Sequence, residues 1–352
     1  MELSEAVVIG AGQAGLSSAY FLRRYGIEPV VLDAGHGPGG AWRHRSPTLT
    51  MEKVHGVFDL PGLGRQEAGG EPGRPAAEVV PAYYASYESA TGLRVVRPVR
   101  VTAVREGARG RLAVETDAGE WQARAVVNAT GTWTRPYWPY YPGAAGFRGR
   151  QLHYAAYRGP REFAGRRVVV VGGGASAMHV LSELAGVAAA TVWVTRRPPV
   201  FRDDDFGTEA RRAAVAMVES RVRAGLPPQS VVSVTGLTYS TVVREAMDKG
   251  ALHRLPMFGR VTEDGVAWDD GTRVPADVII WATGFRAALD HLAPLRLREP
   301  GGGIRVDGTQ VVKEPRLQLV GYGPSASTIG ANRAGREAAR NVRALLSGRL
   351  AA

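Results

Sequence analysis

The feature that most restricts this chain is a glycine pattern that occurs twice, each time between a short apolar run and a stretch of helical periodicity. Gly10-Ala11-Gly12-Gln13-Ala14-Gly15 follows Ala6-Val7-Val8-Ile9 and leads into residues 13 to 25, where Leu16, Ala19, Tyr20 and Phe21 recur near helical spacing. Gly172-Gly173-Gly174-Ala175-Ser176-Ala177 follows Arg167-Val168-Val169-Val170-Val171 and leads into a helical stretch over residues 176 to 184. Strand, glycine turn and helix in that order cradle a dinucleotide pyrophosphate. The first glycine makes the turn, the second lets the backbone approach the phosphates, and the third position, alanine in the second copy, lets helix and strand pack closely. The helix N-terminus then presents free N–H groups and the positive end of its dipole. Candidate contacts are Gly10, Gly12, Ala14 and Gly15 in the first copy, and Gly172, Gly174 and Ser176 in the second.

The strands after the two turns end in opposite charges. Pro29-Val30-Val31-Leu32 ends in Asp33, a carboxylate placed to accept from ribose hydroxyls. The plainer reading is an incidental aspartate. Thr191-Val192-Trp193-Val194-Thr195 ends in Arg196-Arg197, and a 2′-phosphate needs guanidinium groups where a free 2′-hydroxyl wants a carboxylate. The expectation is NADPH over NADH, by roughly one to two orders of magnitude for one charge-assisted contact, against a merely solvated arginine pair. Two sites of opposite preference imply an electron path from NADPH to a dinucleotide that stays bound, and FAD fits that role. The chain has no cysteine, so it has no dithiol relay, disulfide or thiolate metal site. Electrons must leave the flavin directly, to oxygen or to an external acceptor.

From Arg94 to Val127 a short-range alternation that includes Val99, Val101, Leu112 and Val114 reads as antiparallel strands, with Val101 a candidate cofactor contact. Ala129-Thr130-Gly131 follows one apolar run and Ala282-Thr283-Gly284 follows another; all six residues are candidate contacts. Residues 330 to 346 read as a closing helix. Residues 63 to 77, rich in Gly, Pro and charge, read as a surface loop that could serve as a lid. The implied fold is α/β, with two Rossmann-like dinucleotide-binding domains: an FAD domain from residues 1–155 and 282–352, and an NADPH domain, 156–281, inserted in it.

The net charge of +11 is scattered and accompanies no recognition motif, so a solvated surface is expected rather than nucleic-acid binding. The start is acidic and no apolar run approaches membrane-span length, which points to a cytoplasmic protein off the membrane. Asp203, Asp204 and Asp205 are consecutive and cannot converge on one ion, so no metal is expected. A homodimer is left open.

Phe147-Arg148-Gly149-Arg150-Gln151-Leu152-His153-Tyr154-Ala155-Ala156-Tyr157-Arg158 resembles F-x-G-x-x-x-H-x-x-x-Y-[KR], the fingerprint of class B flavoprotein monooxygenases of the flavin-containing monooxygenase type. Gly39-Gly40-Ala41-Trp42 is similar to that family's Gly-Gly-x-Trp, and the two Ala-Thr-Gly segments look like its interdomain linkers. The resemblance spans the chain and is strongest to small bacterial members. It implies that Gly40 and Trp42 touch FAD and that His153 and Arg158 are architectural. It also implies that NADPH-reduced flavin takes up molecular oxygen as a C4a-peroxyflavin, which oxygenates a small soft nucleophile (a sulfide or amine) or a ketone in the Baeyer-Villiger manner. The alternative is a reductase that passes electrons on without inserting oxygen.

Three segments stand apart from these motifs. Glu52 falls near the position where the family usually faces the flavin with an asparagine or an aromatic residue. It is the catalytic candidate, as a proton shuttle or a group that tilts the enzyme toward reduction; the other reading is a Glu52-Lys53 surface pair. Gly321-Tyr322-Gly323 lacks the acidic residue found there in related flavin reductases, which leaves Asn332 on the last helix as a candidate contact. The aromatic tract 133–142 reads as linker packing or as the wall of an apolar pocket.

Overall fold

A computed structural model describes residues 2–54, 56–64, 72–202, 208–228 and 236–348. The first glycine pattern folds as β1 (Glu2–Ile9), α1 (Gln13–Arg24) and β2 (Pro29–Leu32), with β1 and β2 parallel. All four residues of β2 are buried, as expected of a strand covered on both faces. The surface loop expected over residues 63–77 gives way at Ala76 to α2 (Ala76–Thr91), whose Val80, Tyr83, Tyr84 and Tyr87 form one buried stripe. Residues 65–71, the centre of the proposed lid, lie outside the described residues. β3 (Val95–Val96) pairs in parallel with β2.

The alternating segment forms an antiparallel meander of β4 (Val101–Glu106), β5 (Leu112–Thr116) and β6 (Gly119–Asn128). β6 also runs parallel to β1, so it belongs to both the meander and the parallel sheet.

The second unit begins with β7 (Arg150–His153), β8 (Arg167–Val171), α3 (Ala175–Leu184) and β9 (Ala190–Thr195). β10 (Phe201–Arg202), α4 (Thr208–Arg223), β11 (Leu237–Thr238) and α5 (Thr241–Asp248) follow. Then come β12 (Arg254–Pro256), a small antiparallel sheet of β13 (Arg260–Thr262), β14 (Gly265–Ala267) and β15 (Arg273–Pro275), and β16 (Val278–Trp281). Five parallel strands are ordered β12-β9-β8-β16-β7. The expected domain break after residue 155 leaves β7 with the first unit, whereas its ladder partner is β16 of the second sheet.

The chain then returns to the first sheet through β17 (Val306–Asp307), β18 (Gln310–Val311) and β19 (Glu314–Leu319), the last parallel to β6. α6 (Thr328–Leu346) closes the chain. Ser327 caps it by accepting from the Gly330 N–H at 3.1 Å. α6 packs closely on α1: a Cβ on Gly335 would come within 2.7 Å of Ser17 Oγ and 2.9 Å of Ser18 N. Both sheets are covered on both faces, so the C-terminal ends of their strands are where the glycine turns open. Among the described residues no helix is long and apolar enough to cross a membrane, and no group of three or more acidic or histidine side chains could hold a metal ion. Asp203 to Asp205 lie outside the described residues.

Candidate active site at the two nucleotide turns

The two glycine turns are built alike and rest on like supports. Gly10 has φ +99°, and a Cβ there would meet the Ala129 carbonyl at 2.7 Å; Gly172 has φ +142°, and a Cβ there would collide with the Ala282 carbonyl. Each Ala-Thr-Gly segment is therefore the floor under one turn, with alanine as the small residue that permits the approach. At Gly15 a Cβ would collide with the Gly10 carbonyl.

Gly12 and Gly174 are different. Their φ values, −84° and −110°, suit any residue, and a Cβ on either meets nothing within 4 Å. Nothing in the protein requires glycine at these two positions. Both cap a helix without a side-chain hydrogen bond, so free N–H groups face open space. That donor set fits a pyrophosphate at each turn.

The charges beyond the turns are placed as expected, with partners the sequence does not reveal. Asp33 accepts from Arg97 Nε at 3.0 Å, and Arg97 grips Glu88 of α2 with both terminal nitrogens at 2.7 Å. Asp33 Oδ1 takes only a weak 3.3 Å bond from the Gly35 N–H, which leaves lone pairs for a ribose. Arg196 and Arg197 are exposed beyond β9; the Arg197 carbonyl accepts from Thr195 Oγ1 at 2.7 Å, but neither guanidinium forms a hydrogen bond or ion pair among the described residues. Arg254 of β12 approaches the same strand end, with Nη1 3.3 Å from Thr195 Oγ1.

The two Ala-Thr-Gly linkers run side by side. Tyr137 N–H donates to Gly284 O (2.9 Å), Arg286 N–H to Arg135 O (2.8 Å) and Ala288 N–H to Gly131 O (3.0 Å). The hydroxyls of Thr130 and Thr283 donate across the pair to Ala288 O (2.6 Å) and Tyr137 O (2.5 Å). Both threonines thus brace the crossing between the sheets. His153 does the same. Its Nδ1 accepts from the Ala155 N–H at 3.1 Å, so Nε2 carries the proton and donates to Gly284 O at 3.0 Å. Burial pushes its pKa down, against the pull of that carbonyl. Arg158 donates to His44 O at 2.9 Å.

Gly40 has φ +51°, and a Cβ there would lie 2.9 Å from Gly12 Cα, so the Gly-Gly-x-Trp turn folds over the first nucleotide turn. Trp42 packs against the first core, and Val101 is half-buried at the start of β4. Ala14 and Ser176 lie in the first turns of α1 and α3. The Asn332 amide is engaged at both ends, accepting from Gln13 Nε2 (2.8 Å) and donating to Asp59 O (2.7 Å). Glu52 is exposed, its carboxylate hydrogen-bonded by Thr50 Oγ1 at 3.2 Å. The Glu52-Lys53 pair does not form. Lys53 turns instead to Glu183 of α3 and Glu245 of α5, each at 3.7 Å.

Around Glu183 lies a polar cluster that sequence reasoning missed. The carboxylate accepts from Thr48 and Tyr157, each at 2.8 Å, and lies 3.1 Å from His179 Nε2, while His179 Nδ1 faces the Tyr154 hydroxyl at 3.1 Å. Burial alone would raise the Glu183 carboxyl, but hydrogen bonds from His179, Tyr157 and Thr48 hold it below the usual carboxylate range. The fingerprint tyrosine, Tyr157, therefore holds Glu183 from within the second unit, while Thr48 of the first unit reaches the same carboxylate. The aromatic tract does mainly packing: Trp133 stacks on Phe285 at 5.0 Å and Tyr141 on Trp281 at 5.8 Å.

His291 lies behind the linkers, 2.7 Å from Asn128 Oδ1, and burial pushes its pKa down to about 4. Unfolded, a histidine titrates near 6.5. Between the two values the unfolded chain binds a proton that the folded chain refuses, so this contribution to stability is complete above about pH 6.5 and is lost as pH falls toward 4. The loss is on the order of 3 kcal/mol at full extent. Urea unfolding of the wild type and His291→Gln across this window should give a flatter pH dependence for the variant.

Two sheets with parallel cores, each carrying a glycine turn that opens at a helix N-terminus and joined by a braced pair of linkers, define the fold of a two-dinucleotide oxidoreductase. The chain matches the pyridine nucleotide-disulphide oxidoreductase family over residues 7–303 and belongs to it. The flavin-containing monooxygenase from Stenotrophomonas maltophilia is 39% identical, with 98% of this chain and 99% of that one covered at a TM-score of 0.84. Indole-3-pyruvate monooxygenase YUCCA1 of Oryza sativa subsp. japonica is 29% identical over 88% of this chain and 82% of its own length. A ferredoxin–NADP reductase of Ralstonia nicotianae is 30% identical over 75% of this chain and 72% of its own. The chain is a class B flavoprotein monooxygenase, an FAD-dependent oxidoreductase that uses NADPH.

Proposed function

We propose that this monooxygenase oxygenates a small soft nucleophile, a sulfide or amine, or a ketone. FAD is assigned to the turn at Gly10, Gly12, Ala14 and Gly15, with Asp33 on the ribose and Gly40, Trp42 and Val101 beside the cofactor. NADPH is assigned to the turn at Gly172, Gly174 and Ser176, with Arg196 and Arg197 on the 2′-phosphate. The domain division follows the sheets, with residues 150–281 forming the NADPH domain. When bound, the flavin supplies the hydride acceptor and the reaction with oxygen. The chain's own residues orient the two nucleotides, shield the site from water and fix the linkers between them. Asn332, its amide engaged with Gln13 and Asp59, contributes by holding the 58–59 loop against α1. Glu52, exposed on its short turn, is assigned the exchange of protons with solvent.

The observation that carries this reading is the absence of cysteine in a chain whose family is named for disulphide oxidoreductases. Electrons on the flavin have no protein relay and must pass to a diffusible species at the site. The similarity to a ferredoxin–NADP reductase favours one rival, transfer to an external acceptor without oxygen insertion. Turnover of an aryl methyl sulfide with NADPH under isotopically labelled oxygen separates the two. Label in the sulfoxide, in step with NADPH consumed, is the expected result. NADPH consumption with peroxide or reduced acceptor as the only product, for sulfide, amine and ketone probes alike, would overturn the proposal.

A further inference from the structure

Arg45 stands three residues beyond Trp42, in the segment that leaves the Gly-Gly-x-Trp turn. Its guanidinium carbon lies 5.4 Å from the Trp42 ring centroid and 4.6 Å from that of Trp133. Nε is buried and has no hydrogen-bond partner, and among the described residues no carboxylate pairs with the group. The neighbourhood's acidic side chains are already committed, Asp33 to Arg97 and Glu183 to Thr48, Tyr157, His179 and Lys53. Burial pushes Arg45 below the usual guanidinium range, opposed only by the nearby Tyr154 phenol. A guanidinium held this way is costly unless something satisfies it. Two aromatic faces cover its plane, which leaves the N–H edge to make contacts.

We infer that Arg45 is the receptor for the carboxylate of an organic acid substrate with an apolar body. A carboxylate matches the guanidinium edge with two parallel hydrogen bonds. Trp42 and Trp133, each beside the guanidinium, and Phe285, stacked on Trp133, supply apolar cover for the remainder of the molecule. A cofactor phosphate is the less suitable occupant. Each pyrophosphate already has a helix N-terminus with free N–H groups, and the 2′-phosphate has Arg196 and Arg197 beyond β9. This inference rests on the monooxygenase reading for its substrate but not for its anion.

The test uses matched probes on the FAD-loaded protein. (Phenylthio)acetate and its neutral amide carry the same oxidisable sulfur. The acid should show a KM at least about tenfold below that of the amide, and in Arg45→Gln the ratio should collapse toward one, with Arg45→Lys intermediate. Equal KM values in the wild type, or a preference that survives in Arg45→Gln, overturn the inference. So does a variant that loses FAD, or whose KM for NADPH rises equally with both probes, since Arg45 then serves a cofactor phosphate. A parallel tryptophan-fluorescence titration with 3-phenylpropionate and 3-phenylpropanamide needs no turnover. Selective quenching by the acid, lost in Arg45→Gln, upholds the anion site even where neither sulfide is oxygenated, an outcome that would count against the oxygenation reading alone. Near-ultraviolet circular dichroism of both variants checks that they fold, and Arg45→Lys carries the test if the glutamine variant does not.

Discussion

Replacing Arg196 and Arg197 together with glutamine is expected to raise the KM for NADPH by roughly two orders of magnitude and to leave that for NADH within about twofold. The contrast arises from what the arginines lack. Both are exposed beyond β9, and neither side chain has a hydrogen-bond or ion-pair partner among the described residues, so replacing them removes no internal hydrogen bond or ion pair. Substitutions at such sites usually change stability by no more than about 0.5 kcal/mol. The 2′-phosphate is present in one coenzyme and absent from the other, so any selective effect reads the clamp itself. Steady-state kinetics with both coenzymes, at fixed ionic strength, make the measurement. Equal losses with NADPH and NADH would show that the arginines act on the shared part of the nucleotide or on the fold.

The second large effect separates glycines that the protein needs from glycines that a ligand needs. Gly15→Ala drives a methyl group into the Gly10 carbonyl, which is backbone and cannot yield. It should cost about 3 kcal/mol or more and give little folded protein. Gly12→Val should behave in the opposite way. Its φ is ordinary and a Cβ there meets nothing, so the apoprotein should melt close to wild type, within the roughly 1 kcal/mol of a poorer helix cap. FAD affinity should fall by about two orders of magnitude as the side chain takes the space of the phosphates. Flavin absorbance after gel filtration and thermal melting of stripped protein give the two readouts. A Gly12→Val protein that keeps its flavin would remove that turn from the FAD site. Gly174→Val poses the same question for NADPH.

Several features of the site were legible because they depend on residues close together in the chain. The two turns, Asp33, Arg196 and Arg197 each sit within one strand-turn-helix-strand unit, where spacing alone fixes position. The family resemblance implied an architectural His153, but its partner, the Gly284 carbonyl, is far along the chain and came only with the fold. Arg97 was missed although a signal existed. It directly follows β3, the strand beside β2, so its side chain reaches the end of the neighbouring strand, where Asp33 stands. For Glu52 and Lys53, adjacency suggested a pair, but the local turn points one side chain to solvent and the other across to α3 and α5.

The sequence by itself determined that this chain holds two dinucleotides with different ribose ends and passes electrons without thiols. The signs of those properties are glycine spacing, the charge at the end of a strand and the absence of cysteine, none of which depends on distant contacts. Only the tertiary structure decided which polar groups remain free. Asn332 gives up its amide because α6 packs on α1 beside Gln13, and Glu183 gives up its carboxylate because Thr48 and Lys53 arrive from the other unit. Arg45 keeps its donors because Trp42 and Trp133, from segments about ninety residues apart, lie against its guanidinium and bring no acceptor. A hydrogen-bonding group has two fates, satisfied or available, and the choice depends on which distant elements the packing brings within three ångströms.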